Sequence, residues 1–454
     1  MNAIGANAYL SSLLSGDPMG PAATLGRFNP AGPLGRFNPD GQQHWFNQLR
    51  AAGLERANAL TVPTLRDEEW RFTDLTPLYK LAFRPSRVSG AINAATLASF
   101  AIPEATTRLV FVDGIFAASL STVSLSGGII AAPLASALTD YGTIIRERLG
   151  QIAPIGSDAF RAINTAYLSD GAFILARQNA SSASPIHVLN IATQNEAAIH
   201  NRTLVIAASG ADVTVIEDFV AVGEGVYCVN AVSEFDVADN ARVRLIKLQR
   251  EGAQGFHLAS RAARVERDGV FSSNAITLGG RISRETVGVE LSAPGADCQL
   301  DGLTLINARQ LADTHSFIDH RAAHCTSRQL HKCVVGDAAH AVFNGRILVR
   351  QDAQKTNSAQ ESRNLLLSQR AHVDTKPQLE ILADDVKCSH GATVGQLDAE
   401  EMFYLRSRGL PEAQARNVLT YAFAAEVVDR IAIPSVVKRL HEAVMEQTRT
   451  KDSL

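Results

Sequence analysis

The sequence has little that would tie the chain to nucleic acid, lipid or an oxidising compartment. Its 43 Lys and Arg residues against 46 Asp and Glu residues give a formal net charge of −3, so no overall basic field attracts polyanions. The five cysteines include no C-x-x-C pair, and their odd number argues against a disulfide framework. The first basic residue is Arg27, which argues against a secretory signal or transit peptide. We therefore expect a chain of the reducing cytoplasm.

The common catalytic frameworks are also missing from the sequence. It has no G-x-x-x-x-G-K-[ST] loop for nucleotide phosphates, no G-x-S-x-G nucleophile elbow and no H-E-x-x-H zinc helix. With 454 residues, 46% of them hydrophobic, the chain can still bury large cores without cross-links. We therefore expect a globular protein that is not an enzyme.

Residues 1–40 differ from the rest of the chain in their density of Gly, Pro and Asn. The hexapeptide LGRFNP occurs there twice, starting at Leu25 and at Leu34. Such a composition opposes packing, so we predict a flexible extension.

Residues 41–169 have mixed patterns, and we predict a largely helical α/β domain. A helical pattern begins at Gln42, and the charged cluster RDEEWRFTDL follows at Arg66–Leu75. The later segment RLVFVDGIFAASL alternates like a short hairpin.

Short strand-like runs dominate from about Asp170 to Val386, among them FILAR, TLVIAA, DVTVIEDFV and RVRLIKLQ. Hairpin signals such as Asn-Gly are scarce, whereas one turn pattern recurs, as in Gly210-Ala211-Asp212-Val213 and Asn240-Ala241-Arg242-Val243. A stacked solenoid fits this better than a sandwich or propeller, with Ala, Val and Ile filling its narrow interior. We predict a mainly β chain in which residues 170–391 form a right-handed parallel β-helix core between the N-terminal α/β region and a C-terminal helical domain.

The C-terminal domain, residues 392–454, follows helical patterns. Asp398 with Glu401 three residues later is a capping pattern, and Gly409 suits the end of that helix. A second helix opens at Pro411 and ends at Pro434. The range 438–448 predicts a third, short helix.

Apolar side chains surround more than one face of the first of these helices, at Met402, Phe403, Tyr404 and Leu405. A helix that packs on one side only needs apolar side chains on one face, so the second apolar face is available to a partner. The alternative is that all four lie in the core of a small helical domain.

Four motifs stand out between residues 343 and 410: AQKT at Ala353–Thr356, NLLLS at Asn364–Ser368, PQLEI at Pro377–Ile381 and DVKCSHGATVGQLD at Asp385–Asp398. Together with RDEEWRFTDL, they resemble the SufB/SufD family of the SUF iron–sulfur cluster assembly system. The resemblance covers most of the chain beyond residue 40. Within the family, the chain resembles the SufD branch, because the strand before the C-terminal helices reads KCSHG and the cysteine-rich stretches of SufB are missing.

The resemblance implies a non-catalytic scaffold subunit with two partners. SufD subunits pair with SufB through their β-helices, and each of the two binds one copy of the ATPase SufC through its C-terminal helices. The resemblance therefore implies that Met402–Leu405 contact SufC. It also implies that the isolated chain holds no firm cofactor, only a transient iron ion or nascent cluster at the SufB interface. Whether the isolated chain forms a homodimer stays open.

Cys388 and His390 are separated by one residue on a predicted strand, so their side chains share a face. A thiolate and a neutral imidazole both bind iron, although a buried cysteine is commonly an inert small hydrophobe. Spacing alone leaves both alternatives open. The match of KCSH to the family position associated with cluster assembly implies the ligand role. The nearby carboxylates Glu380, Asp384 and Asp385 are more typical of solvated turns than of ligands.

A second group of candidate ligands, five histidines and two cysteines, lies between His315 and His340. Their spacing argues against a shared metal site, because the adjacent His324 and Cys325 would point to opposite faces of a strand, and no C-x-x-C pair or helical H-x-x-x-H pair sets a tetrahedron. His331 and Cys333 would share a face. We expect these residues to occupy ordinary β-helix positions.

Two other functions remain as alternatives. One is a secreted-type, polysaccharide-acting β-helix enzyme, which would expose carboxylates with Arg or Lys along one groove. The other is an independent iron-binding protein, which would hold stoichiometric iron on the isolated chain.

Overall fold

The computed structural model describes residues 12–13, 39–124, 127–156 and 158–447. Most of the Gly- and Pro-rich extension 1–40 lies outside these residues, so its flexibility stays a prediction.

Two sheets stacked coil upon coil form the body of the described chain, a parallel β-solenoid of about 8 turns. Sheet A consists of β1 (Arg84–Pro85), β4 (Ile129–Pro133), β5 (Ala172–Ala176), β7 (Ala197–Ala207), β9 (Tyr227–Val237), β11 (Phe256–Val265), β13 (Ile282–Leu291), β15 (Leu311–His320), β17 (His340–Val349) and β19 (His372–Ile381). Sheet B consists of β2 (Thr107–Val112), β3 (Ile115–Phe116), β6 (Ile186–Ala192), β8 (Asp212–Ala221), β10 (Arg242–Arg250), β12 (Val270–Thr277), β14 (Asp297–Ile306), β16 (Thr326–Val335), β18 (Asn357–Leu366) and β20 (Lys387–Gly395). The predicted parallel solenoid is confirmed.

The solenoid begins earlier in the chain than the strand pattern predicted. The hairpin expected in RLVFVDGIFAASL exists as the antiparallel pair of β2 and β3, but β2 also pairs in parallel with β6. Its side chains are almost all buried, so this strand belongs to the first coil of sheet B.

The recurring turn pattern marks corners of the coils. Gly210, Asn240 and Gly295 have positive φ angles of 71°, 57° and 78°, a region open to Gly and tolerated by Asn. Each is followed by a fully buried alanine, as at Ala211 and Ala241. The small residue lets the chain turn sharply into the next strand.

Eight helices flank the coils in the described chain: α1 (Pro39–Ala59), α2 (Thr76–Tyr79), α3 (Ala94–Ser99), α4 (Leu134–Arg148), α5 (Ala159–Ala166), α6 (Ala399–Ser407), α7 (Glu412–Val428) and α8 (Pro434–Gln447). Helices α1 and α4 cover the first coils, where Phe46, Leu138 and Ile145 pack with Phe173 and Leu204. The N-terminal end of the solenoid therefore carries a hydrophobic cap.

The RDEEWRFTDL cluster fastens the N-terminal region to the outer face of sheet A. Its 3-10 turn Glu68–Trp70 places the Trp70 ring 4.3 Å from the guanidinium carbon of Arg284. His315 contacts two carboxylates, Glu69 at 3.1 Å and Asp313 at 3.2 Å. The charges of this motif therefore serve packing between the N-terminal region and the solenoid.

The C-terminal helices α7 and α8 cover the outer face of sheet B. Val427 and Leu440 belong to one buried cluster with Ile246 and Leu303 of the sheet. The predicted capping pattern is confirmed, because the Asp398 side chain accepts hydrogen bonds from two backbone N–H groups at the start of α6. Helix α8 begins at Pro434, earlier than predicted, since proline suits a first helical turn.

The interior of the solenoid combines an apolar cluster, which runs from the first coils to the last, with buried polar and charged side chains. Val, Ala and Ile fill the first coils as expected, but in the middle coils Glu285 Oε1 lies 3.1 Å from Lys247 Nζ and 2.5 Å from Arg261 Nε, all buried. Burial alone would raise the pKa of Glu285, but Arg261 and Lys247 lower it to about 2. An apolar interior throughout was therefore the wrong expectation, because paired charges can replace apolar side chains there.

None of the helices in the described ranges is both long and apolar enough to cross a membrane.

Buried neutral histidines predict a loss of stability in mild acid. His331 lies in the interior, stacked on Phe343 at 4.9 Å, and burial lowers its pKa to about 4. The unfolded chain takes up this proton near pH 6.5, so stability falls as the pH drops from 6.5 towards 4. Between pH 7.5 and 5.0 this group removes about 2 kcal/mol. The replacement His331→Gln should shrink the difference in urea unfolding free energy between these two pH values by about that amount.

The matched control is His324→Asn at an exposed corner, which should leave that difference unchanged. An unaltered pH dependence in His331→Gln would show that the imidazole is not held neutral by burial.

Candidate functional site at the open end of the solenoid

The two ends of the solenoid are built differently. At the N-terminal end, β3 and β4 close the sheets with antiparallel pairs, and helices α1 and α4 pack over β4. At the other end, β19 pairs only with β17 and β20 only with β18. We call residues 372–395 the terminal coil. Each of its strands leaves one row of backbone N–H and C=O groups unpaired within the described chain.

Apolar side chains accompany this open edge. Leu382, between the two edge strands, is 57% exposed, and Ile381 and Val394 are also exposed. Open strand edges with exposed apolar residues promote association with another chain unless they are covered. The terminal coil therefore has the properties of an interface.

Strand β20 carries Cys388 and His390. Cys388 is half-buried and packs against the interior core cluster, so its side chain points inward. His390 lies two residues further along the strand on the same face, and it is exposed because no coil follows. The structure thus places the thiol and the imidazole on the interior face of the last strand.

Two columns of interior polar residues lead up to this pair. Cys388 continues the column of Ser327 and Ser358, whose hydroxyl oxygens lie 2.7 Å apart. His390 continues that of Gln329 and Gln360, where Gln360 donates to Gln329 over 2.8 Å. Sequence reasoning missed these columns. The sequence feature that could have revealed them is the polar residue at every second position of TSRQLHKC and NSAQESRN, because these positions point inward.

The cysteines differ in their exposure. Burial raises the pKa of the Cys388 thiol, so at neutral pH it is protonated in the isolated chain. A thiolate there requires a bound metal ion or a cationic neighbour. The other four cysteines are buried, and burial raises the pKa of Cys298, Cys325 and Cys333 as well. Cys388 is therefore the accessible thiol of this chain.

Two of the three neighbouring carboxylates are engaged in surface ion pairs. Glu380 lies 2.6 Å from Arg346, and Asp385 pairs with Lys355. Asp384 is exposed. None of these contacts directs a carboxylate towards Cys388 or His390.

The histidines and cysteines between His315 and His340 are dispersed. His315 and His340 lie on the outer face of sheet A, and His324 lies at a corner. The others are buried: His320, Cys325, His331 and Cys333. The expectation that this stretch forms no single metal site agrees with this placement.

Helix α6 presents the predicted partner segment to solvent. Phe403 is 74% exposed and Tyr404 56%, whereas Met402 and Leu405 are half-buried. No residue of α6 is fully buried. The alternative in which all four form a core is therefore wrong for Phe403 and Tyr404.

The exposure of Cys388 predicts selective labelling. In the folded, isolated chain a maleimide should modify one thiol, and Cys388→Ser should abolish the reaction. Because its pKa is raised, the labelling rate should still increase with pH beyond the usual thiol midpoint. Mass spectrometry of digested protein identifies the modified residue. Labelling of Cys298 or Cys333 at a similar rate would contradict this structure.

Comparison with known proteins agrees with the motifs. Residues 39–188 match the model of the SufBD protein N-terminal region, and residues 190–423 match that of the SUF system FeS cluster assembly SufBD core domain. A SufBD family protein of Synechocystis sp. is 37% identical over 88% of this chain and 90% of its own. The iron–sulfur cluster assembly protein SufD of Escherichia coli is 34% identical over 86% and 92%, and that of Bacillus subtilis 26% over 89% and 94%. The predicted resemblance to SufD is confirmed, and the chain belongs to the SufBD family of iron–sulfur cluster assembly proteins.

Proposed function

We propose that this chain is a non-catalytic scaffold subunit that pairs with SufB through the terminal coil. The observation that carries this proposal is the open edge of β19 and β20, with Cys388 and His390 on the interior face of β20. A second solenoid stacked there would pair the free backbone groups and cover Leu382 and Val394. The same free strand edges could pair with a second copy of this chain and form a homodimer when SufB is absent.

Cys388 and His390 would then contribute ligands to a transient iron ion or nascent cluster at that interface. The protonated thiol of the isolated chain is a poor ligand, so tight binding requires additional ligands from the partner. At the terminal coil the isolated chain accordingly holds no firm cofactor.

The C-terminal helices supply the second contact. Phe403 and Tyr404 are aromatic, exposed and adjacent on α6, while α7 and α8 anchor that region to sheet B. Aromatic side chains of this kind are frequent hot spots of protein interfaces. We assign them to SufC, the ATPase of the system, since this chain has no phosphate-binding loop of its own.

The proposed compartment is the cytoplasm. All five cysteines are free, which fits a reducing compartment. Cys298 and Cys333 are buried, so they could be oxidised only after the chain unfolds. Of the alternatives, a polysaccharide-acting enzyme gains no support from the site, where Glu380 and Asp385 are held in ion pairs.

The ligand proposal predicts a specific effect of His390→Ala. The side chain is exposed, so its loss should change the free energy of unfolding by less than about 0.5 kcal/mol and leave co-purification with SufB and SufC intact. Iron and acid-labile sulfide in the anaerobically isolated complex should fall at least tenfold. The Cys388→Ala variant should show the same loss.

The control for these variants is Ser389→Ala, on the same strand but on the opposite face. It should retain full iron and sulfide. A His390→Ala complex with undiminished cluster content would remove the ligand role, and one that no longer assembles would assign His390 to the interface instead.

The SufC assignment predicts that Phe403→Asp weakens SufC binding at least 30-fold, since a buried interface aromatic contributes about 2 kcal/mol or more. Because Phe403 is exposed in the isolated chain, the melting temperature should not change. Val88→Asp, at an exposed apolar residue of the N-terminal region, is the control and should bind SufC normally. Calorimetric titration with SufC measures both; equal affinities would refute the assignment.

A further inference from the structure

A group of three potential metal ligands lies on the outer face of sheet A, separate from Cys388 and His390. His340 at the start of β17 pairs in register with His372 at the start of β19, and Asp374 follows two residues later on the same face. The two imidazole rings are 5.0 Å apart. Register alone brings these residues together, because they come from successive coils.

The ligand atoms already converge on one point. The Oδ2 atom of Asp374 lies 2.7 Å from His340 Nε2 and 3.3 Å from His372 Nε2. All three potential ligand atoms lie within 4.8 Å of one another, and no other such group of three is found in the described ranges. With metal–ligand bonds of about 2.1 Å, neighbouring ligands of a tetrahedral ion are roughly 3.4 Å apart, so small movements would suffice.

The setting of this triad also suits a bound ion. His340 and Asp374 have about a quarter of their side chains exposed, and His372 is 66% exposed, so the group is fixed on one side and open to solvent on the other. The backbones that carry it are paired strands, which hold ligands more rigidly than loops. Binding would require the Nε2 lone pair of each imidazole, with the proton on Nδ1 or released to solvent.

We propose that His340, His372 and Asp374 form a binding site for a divalent first-row transition metal ion of the Fe²⁺ and Zn²⁺ class. Two imidazoles and one carboxylate favour these ions over Mg²⁺ and Ca²⁺, which prefer all-oxygen sites. Three protein ligands leave at least one coordination position open for water or for an atom of a partner. Since β19 is an edge strand of the terminal coil, the ion would also link that coil to the one before it.

The test uses the full-length chain, without a histidine tag, after removal of metals with a chelator. Equilibrium dialysis against Zn²⁺, and against Fe²⁺ under anaerobic conditions, should give one ion per chain at micromolar concentration. Co²⁺ should produce the visible absorption of a site with nitrogen and oxygen ligands. Millimolar Mg²⁺ should not displace the ion, and the ion should raise the melting temperature of the chain.

The variants separate this site from every other. His372→Ala, at an exposed side chain, and Asp374→Asn should each weaken binding at least tenfold and remove the increase in melting temperature. His441→Ala is the matched control, because His441 faces Asp429 at 3.0 Å without a second imidazole, and it should bind normally. The double replacement of Cys388 and His390 by Ala should also retain the ion.

Two results would overturn the proposal. One is unchanged Zn²⁺ affinity in both His372→Ala and Asp374→Asn. The other is an ion that is lost when Cys388 and His390 are replaced, which would place the metal at the terminal interface instead. Failure here leaves the proposed pairing with SufB untouched, since that pairing rests on the open strand edges.

Discussion

Backbone pairing between successive coils is the constraint on which the rest of this molecule depends. In a parallel solenoid each strand satisfies its N–H and C=O groups with the coil above and the coil below, and a buried group left unpaired costs about 1–3 kcal/mol. This chain meets the requirement at its N-terminal end with antiparallel strands and packed helices. At the terminal coil it does not, since β19 and β20 have a neighbour on one side only. The open end is therefore the place where the fold favours a partner.

In-register stacking of the coils also orders the polar side chains of the interior. In-register stacking places the same type of side chain one above another, as in the columns that end at Cys388 and His390. Hydrogen bonds along the columns hold Ser358 and Gln360 in position and thereby define the floor beneath the two candidate ligands. The Lys247, Arg261 and Glu285 cluster makes the middle coils unlike an ordinary apolar core.

Much of the fold could be predicted from the sequence because short-range rules determine it. Turn residues such as Gly210 and the Asp398 cap act within a few positions of themselves, and period-two alternation marks the strands. The polar interior was missed for a physical reason: inward positions such as Gln329 and Gln360 carry buried polar side chains, whereas apolar residues on the outer face of sheet B are buried under α7 and α8, so hydrophobicity does not mark the inward side. The pairing of His340 with His372 depends on register between coils, which no local pattern records.

Amide hydrogen exchange of the isolated chain and of its complex with SufB tests whether the terminal coil is the proposed SufB-binding surface. Amides of β20 (Lys387–Gly395) and of β19 (His372–Ile381) should exchange rapidly along their free edges in the isolated chain, and should slow by at least tenfold in the complex. Exchange in the first coils, around β5 (Ala172–Ala176), should not change. Protection that appears elsewhere, while β19 and β20 continue to exchange at the rates of the isolated chain, would place the SufB contact on another surface.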